Sequence, residues 1–282
     1  MPRDVKLSVG AALLLCLLSA VLLILSFPSF NLEFLAWFAF IPFFFALEDR
    51  PRHEMFLLAY FAGLIFWCGT IYWLIYVSLP GFVLLVLYLS VYFGIFGLLF
   101  RLRPLTAVVG WVALEFLRSY AFSGFPWALL GYSQYLNIRM IQIADLITVW
   151  GISFLVIATN LAIYRVMRRR FATVIPTAAA CLCIAFLYGH YRLNQINDPA
   201  NKSTVKISIL QGSIPQHQKW DKKFKESILA RYSTLTKEAA NDKPDLIIWP
   251  ETAIPGVIDE EPELLAYALI RPGHPTITIL RY

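Results

Sequence analysis

Residues 245–255 read Asp245-Leu-Ile-Ile-Trp-Pro-Glu251-Thr-Ala-Ile-Pro255, four apolar residues closed by a proline with a carboxylate directly after it. An apolar run this short, bounded by turn residues, predicts a buried strand with neighbouring strands on both sides. Open α/β sheets take up ligands outside the carboxyl ends of their strands, and Glu251 falls at such an end. Flanked by Trp249, Pro250 and Pro255, its carboxylate is expected to be partly desolvated and to hold its proton more tightly. That suits a general base working near neutral pH. The alternative is a glutamate that caps a helix or fixes a loop, because perturbed carboxylates also serve structure.

Upstream, Phe224, Ile228, Leu229 and Leu235 recur at helical spacing, which predicts an amphipathic helix over 221–240 ended by Asp242-Lys-Pro244. Val205-Lys-Ile-Ser-Ile-Leu210 alternates with period two, the pattern of a strand with one wet face. Gln211-Gly-Ser-Ile-Pro215 is a turn. A strand–helix–strand unit implies an α/β layer. The polar stretch 194–203, with Pro199, reads as a linker. The expected organisation is therefore a transmembrane domain over 1–193 and part of an extracytoplasmic α/β domain over 194–282.

The membrane assignment rests on composition. The 282 residues are 59% hydrophobic and 15% charged, with a mean hydropathy of +0.65, whereas soluble domains carry about 25% charged residues. A bilayer core needs about 20 apolar residues per helix. On that basis seven spans are predicted, at 7–27, 32–47, 55–76, 82–100, 105–120, 141–164 and 172–188. The first is long for a signal peptide and has no convincing cleavage site, so it is read as retained.

Arg3 and Lys6, Arg50 and Arg52, Arg101 and Arg103, and Arg165, Arg168, Arg169 and Arg170 fall on alternate connections. The opposite connections hold only Arg118, Arg139 and Arg192 near the spans. This bias predicts a cytoplasmic N-terminus and an extracytoplasmic segment after 188. It also accounts for the net charge of +6 without a nucleic-acid partner. Cys16, Cys68, Cys181 and Cys183 lie in apolar runs, and the four histidines are scattered, so neither a metal site nor a cofactor is expected.

Within the spans, Glu115 and Arg118 stand three apart and are expected to pair near the outer interface, the alternative being that they bind a lipid headgroup. Asp145 and Asn160 are expected to satisfy helix–helix contacts. No ladder of ionisable residues runs through the spans, which argues against a transporter. The connection 122–140 contains Gly124-Phe-Pro-Trp127 and Gly131-Tyr-Ser-Gln134, too punctuated to span and rich in aromatics that suit headgroup depth. It reads equally as an interfacial connector and as a platform that meets lipid tails or a substrate anchor.

Taken together, these residues resemble the bacterial apolipoprotein N-acyltransferases, membrane enzymes with a periplasmic domain of the nitrilase (carbon–nitrogen hydrolase) superfamily. The resemblance is carried by Trp111, Glu115 and Arg118, by the two loop motifs, and by Gln142-Ile-Ala-Asp145 with Trp150-Gly-Ile-Ser153. Gln211-Gly-Ser-Ile-Pro-Gln216 with Lys219-Trp220, and Ile248-Trp-Pro-Glu-Thr-Ala-Ile-Pro255, continue it. It implies a multi-pass inner-membrane protein that transfers an acyl chain from a phospholipid donor to a diacylglyceryl-modified lipoprotein acceptor. In such enzymes a glutamate base activates a cysteine that carries the chain as a thioester, and a lysine stabilises the oxyanion. Glu251 matches the base and Trp220 an aromatic position near the substrate cavity.

The family's lysine, cysteine and final span lie well downstream of the glutamate. The 89 residues from 194 to 282 are short for one domain, which commonly takes about 100–150. Pro272, Gly273 and Pro275 interrupt the helix that the family would complete. The expectation is a truncated or frame-shifted reading from about residue 268, inactive alone, with Lys237 and Lys243 no substitutes for the lysine. The other reading is a non-catalytic membrane protein that keeps a lipid-binding scaffold.

Overall fold

The computed structural model describes residues 7–102, 104–169, 174–196, 204–219, 221–250, 253 and 276–279. The chain divides into two compact units, Met1–Asp198 and Pro199–Tyr282.

The first unit is helical: α1 (Val9–Leu25), α2 (Phe40–Leu47), α3 (Arg52–Thr70), α4 (Leu79–Phe100), α5 (Pro104–Tyr120), α6 (Ile138–Ile141), α7 (Ala144–Met167) and α8 (Val174–Ile196). Local chemistry sets several starts. Ser8 caps α1 by accepting the Ala11 amide, and Ser78 caps α4 by accepting that of Gly81, with Pro80 in the first turn. Among the described residues three helices, α3, α4 and α7, are long and apolar enough to cross a membrane. Where α3 meets α4, a methyl on Gly97 would lie 2.8 Å from the carbonyl oxygen of Met55, so the small residue permits the close approach. The core is aromatic: Phe40 meets Trp111 edge-on at 4.8 Å, and Phe43 stacks on Phe96 at 5.9 Å.

The predicted span 32–47 is not one helix. A 3-10 turn, Glu33–Trp37, is followed by a break before α2. Backbone groups freed at membrane depth cannot turn to water, so they need partners from the protein. Asn160 of α7, fully buried, supplies them: its Oδ1 accepts the amide of Phe40 at 2.9 Å, and its Nδ2 donates to Ala36 O at 2.8 Å. Gln134 adds a second fastening, donating to Glu33 O and accepting from Trp37 Nε1, both at 2.8 Å. Asp145 ties α7 to α8 by accepting from Tyr188 Oη at 2.8 Å and pairing with Arg192 at 3.2 Å.

The second unit holds β1 (Ile207–Ile209), α9 (Gln216–Lys219), α10 (Lys225–Ala240), β2 (Leu246–Trp249) and β3 (Thr276–Ile279). The strands are parallel, in the order β1-β2-β3, so β2 is central. β3 comes from the tail that the proline pattern sets apart. Ile228, Leu229 and Tyr232 of α10 form one buried cluster with Ile247 and Trp249. The indole of Trp249 stacks on Tyr232 at 5.1 Å and donates to Thr236 Oγ1 at 3.1 Å.

One expectation for β1 is reversed. Its exposed positions are the apolar ones, with Ile209 75% accessible, and the register sets Ile207 and Ile209 beside Leu246 and Ile248. The central strand β2 is thus apolar on both faces, the pattern of a parallel sheet built to be covered on both.

The break before α2 gives a test. Asn160→Ala leaves the Phe40 amide and the Ala36 carbonyl buried without partners, at about 1–3 kcal/mol for each unsatisfied group. The thermal midpoint in detergent should fall by several degrees. An unchanged midpoint would mean that water reaches the break and Asn160 does not hold it.

Candidate functional site

The site is built on the connection after α5. Pro126 cannot donate a backbone hydrogen bond or continue a helix, so the carbonyls around it are left needing donors. Glu115 and Arg118, one turn apart on α5 and only 3% and 4% exposed, meet that need. Arg118 Nη1 donates to Phe125 O and Trp127 O, both at 2.7 Å, while its guanidinium lies 4.8 Å over the ring of Trp67. Glu115 Oε1 accepts the amide of Leu130 at 2.6 Å.

The ion pair expected from their spacing therefore does not form as a direct contact among the described residues. Each charge is spent on loop backbone instead, because a buried charge is tolerated only when it is hydrogen-bonded. The next amide, Gly131 N, donates to Ser153 Oγ of α7 at 2.8 Å. A methyl on Gly131 would stand 2.4 Å from Val149 O, so only glycine lets the loop lie this close to α7. At the loop's start Gly124 has φ +79°, again a glycine conformation.

The pinned loop walls a cavity of about 820 Å³. Trp127 and Tyr132 come from the loop, Ile24 and Phe27 from α1 and the turn after it, and Thr70 and Trp73 from the end of α3 and beyond. Trp73 and Trp127 pack at 5.3 Å. No carboxylate, amine, guanidinium, imidazole or thiol lines it among the described residues. Such a space is chemically suited to an apolar ligand and has no acid–base group of its own among the described residues. Close by, Trp67, Trp111, Glu115 and Arg118 border a second cavity of about 20 Å³, the size of one water. Among the described residues, Trp67 Nε1, Trp111 Nε1 and Glu115 Oε2 are buried there with no partner in full hydrogen-bonding geometry.

In the second unit Glu251 and Trp220, the two residues singled out by sequence, lie outside the described residues. The structure describes the end of β2 as far as Trp249 and Pro250, and Ala253, which is buried and donates its amide to Pro250 O at 3.3 Å. Burial also pushes the Tyr232 phenol up, against a hydrogen bond from the Gly212 backbone. Sequence reasoning found the aromatic loop and the Glu115–Arg118 spacing. It missed the cavity, whose walls come from segments that only the fold assembles. It also missed what the two charges hold, although a proline eight residues after Arg118 was a usable signal.

The profile of the Apolipoprotein N-acyltransferase N-terminal domain matches residues 19–162, which include Glu115, Arg118 and the whole pinned loop. The chain belongs to the apolipoprotein N-acyltransferase family. It is 36% identical over 276 residues to the apolipoprotein N-acyltransferase of Geobacter metallireducens, an alignment covering 88% of this chain and 52% of the relative. The apolipoprotein N-acyltransferase of Rickettsia bellii is 32% identical over 149 residues, covering 51% of this chain and 29% of the relative. That of Chlorobaculum tepidum is 28% identical over 262 residues, covering 85% and 48%. The chain thus spans about half the length of the Geobacter and Chlorobaculum relatives that it matches.

In this acyltransferase-family chain, Glu115→Ala should leave the Leu130 amide buried and unpaired, lowering stability by about 1–3 kcal/mol. The tryptophan emission should shift as the loop loosens. Glu115→Gln keeps an acceptor oxygen in the same place and should retain most of both properties. Equal damage from the two variants would show that the bond to Leu130 is not what Glu115 provides.

Proposed function

We propose that this chain forms the membrane domain and the first catalytic layer of an enzyme that N-acylates the N-terminal diacylglyceryl-cysteine of bacterial lipoproteins. The observation that carries the reading is the apolar cavity behind the pinned loop, in a chain of this family. Ligand pockets run to about 300–1,000 Å³, so the cavity has room for an alkyl chain of the phospholipid donor or of the lipoprotein acceptor. The topology is seven spans over residues 1–193 in the inner membrane, with the N-terminus cytoplasmic and residues after about 190 periplasmic. Residues 194–282 begin a nitrilase-like sandwich. Three parallel strands, a helix on one face and exposed Ile207 and Ile209 on the other support that layering.

In the proposed reaction Glu251 takes the proton of a cysteine thiol, and the thiolate attacks the ester carbonyl of the phospholipid. A lysine ammonium holds the oxyanion. Collapse of that intermediate breaks the ester C–O bond, leaves a thioester, and returns the proton to the departing lysophospholipid. The α-amino group of the diacylglyceryl-cysteine then attacks the thioester; a C–N bond forms, the C–S bond breaks, and the amine's proton passes through Glu251 to the thiolate. Trp220 borders the substrate. The four cysteines of this chain lie on α1, α3 and α8, so the nucleophile is a cysteine other than these.

A phospholipid bearing a photoreactive diazirine in mid-chain tests the cavity. Labelling should concentrate on peptides containing Ile24, Phe27, Trp73 and Trp127. Uniform labelling around the helical belt would remove the cavity from the mechanism.

A graft tests the chemistry. With this chain in place of the matching part of the Geobacter relative, lipoprotein N-acylation should proceed, and Glu251→Gln should abolish the thioester. An acyl-enzyme that still forms at the normal rate in that variant would exclude Glu251 as the base.

A further inference from the structure

A different cavity, of about 610 Å³, lies at the other end of α3 and α4. It is bordered by Met55 near the start of α3, Phe100 at the end of α4, and Tyr164 in the last turn of α7. The acyl cavity reaches Thr70, so along α3 the two are separated by on the order of 20 Å. Unlike the acyl cavity, this one is charged: Glu48, Asp49, Arg50, Arg101 and Arg165 all line it.

Most of these charges are already matched. Arg50, 4% exposed, donates to Glu54 at 2.8 Å and to the carbonyls of Ala46, Leu7 and Ser8. Arg168 Nε donates to Glu48 Oε2 at 2.6 Å, so that carboxylate is neutralised through the cavity wall. Asp49 is exposed at the rim. Arg101 and Arg165 make no hydrogen bond or ion pair among the described residues. Arg165 is half-buried, and its Nε is withdrawn from water with no partner. Once the matched pairs cancel, two guanidinium groups stand against one rim carboxylate. Among the described residues the site is thus one positive charge in excess, beside an apolar wall of Leu47, Phe100 and Leu161.

We propose that this cavity binds the headgroup of a singly charged anionic phospholipid, with its phosphodiester between Arg101 and Arg165 and its glycerol and upper acyl carbons against the apolar wall. An anion here meets a cation that has already lost part of its hydration, where attraction is stronger than in bulk water. Basic pockets between membrane helices suit anionic lipids for this reason. The proposal does not depend on the acylation reading, because the site lies at the opposite end of the helices and no acyl transfer is assigned to it.

The test is native mass spectrometry of the detergent-solubilised chain, titrated with phosphatidylglycerol and with phosphatidylcholine of the same acyl chains. One phosphatidylglycerol should bind preferentially, with roughly fivefold of the preference supplied by each arginine. Arg101→Gln with Arg165→Gln should bring the two lipids to parity, while Arg139→Gln on α6 should leave the preference intact. Asp49 has φ +55°, which asparagine tolerates, so Asp49→Asn should keep the fold and tighten phosphatidylglycerol. Excess inorganic phosphate should not displace the lipid. Equal binding of the two lipids, a preference that survives the double variant, no tightening by Asp49→Asn, or displacement by phosphate would each overturn the proposal.

Discussion

Backbone that leaves the helix inside a buried core must find its hydrogen-bond partners within the protein, and the architecture of the first unit follows from that constraint. It is met at two places. Asn160 and Gln134 close the break between Trp37 and Phe40, and Glu115, Arg118 and Ser153 fasten the loop around Pro126. In both cases the partner is a side chain from another helix or loop. The irregular segments are therefore as firmly placed as the helices around them, and they connect α1, α2, α5 and α7 into one core.

The same constraint explains the chemistry of the two ends. Near the pinned loop the backbone is satisfied from beneath by buried charges, which leaves the cavity-facing surface to Trp73, Trp127, Ile24 and Phe27. A wall of that kind accepts hydrocarbon. At the other end Arg50 plays the satisfying role, its donors consumed by Glu54 and three carbonyls, while Arg101 and Arg165 have no partner among the described residues. One end of the helices is thus apolar and aromatic, the other amphipathic and cationic. A protein proposed to handle phospholipids needs both kinds of surface.

The second unit shows a simpler relation between pattern and structure. The run 246–249 becomes the central strand, and α10 buries Ile228, Leu229 and Tyr232 against it. What alternation misjudged is which face of β1 is wet. Period-two reading assumes one buried face, and it fails beside a central strand that is apolar on both. Pro272 and Pro275 argue against helix in the tail, yet Thr276–Ile279 pairs in parallel with β2. Proline forbids a helix interior but says nothing against a strand that begins after it.

The sequence by itself determined the membrane character, because long apolar stretches have no other stable setting. It also determined the α10–β2 unit, because helical and strand periodicities are local. The Glu115–Arg118 spacing and the aromatic loop were legible for the same reason. Only the tertiary structure decided that these two charges hold the loop rather than each other, since the choice depends on carbonyls freed by Pro126 coming within 2.7 Å of a guanidinium. Only the tertiary structure, likewise, broke the second span and assigned its open backbone to Asn160, 120 residues away from Phe40. Both cavities belong to this second class, because a cavity is a property of surfaces brought together from distant segments, and no local pattern records it.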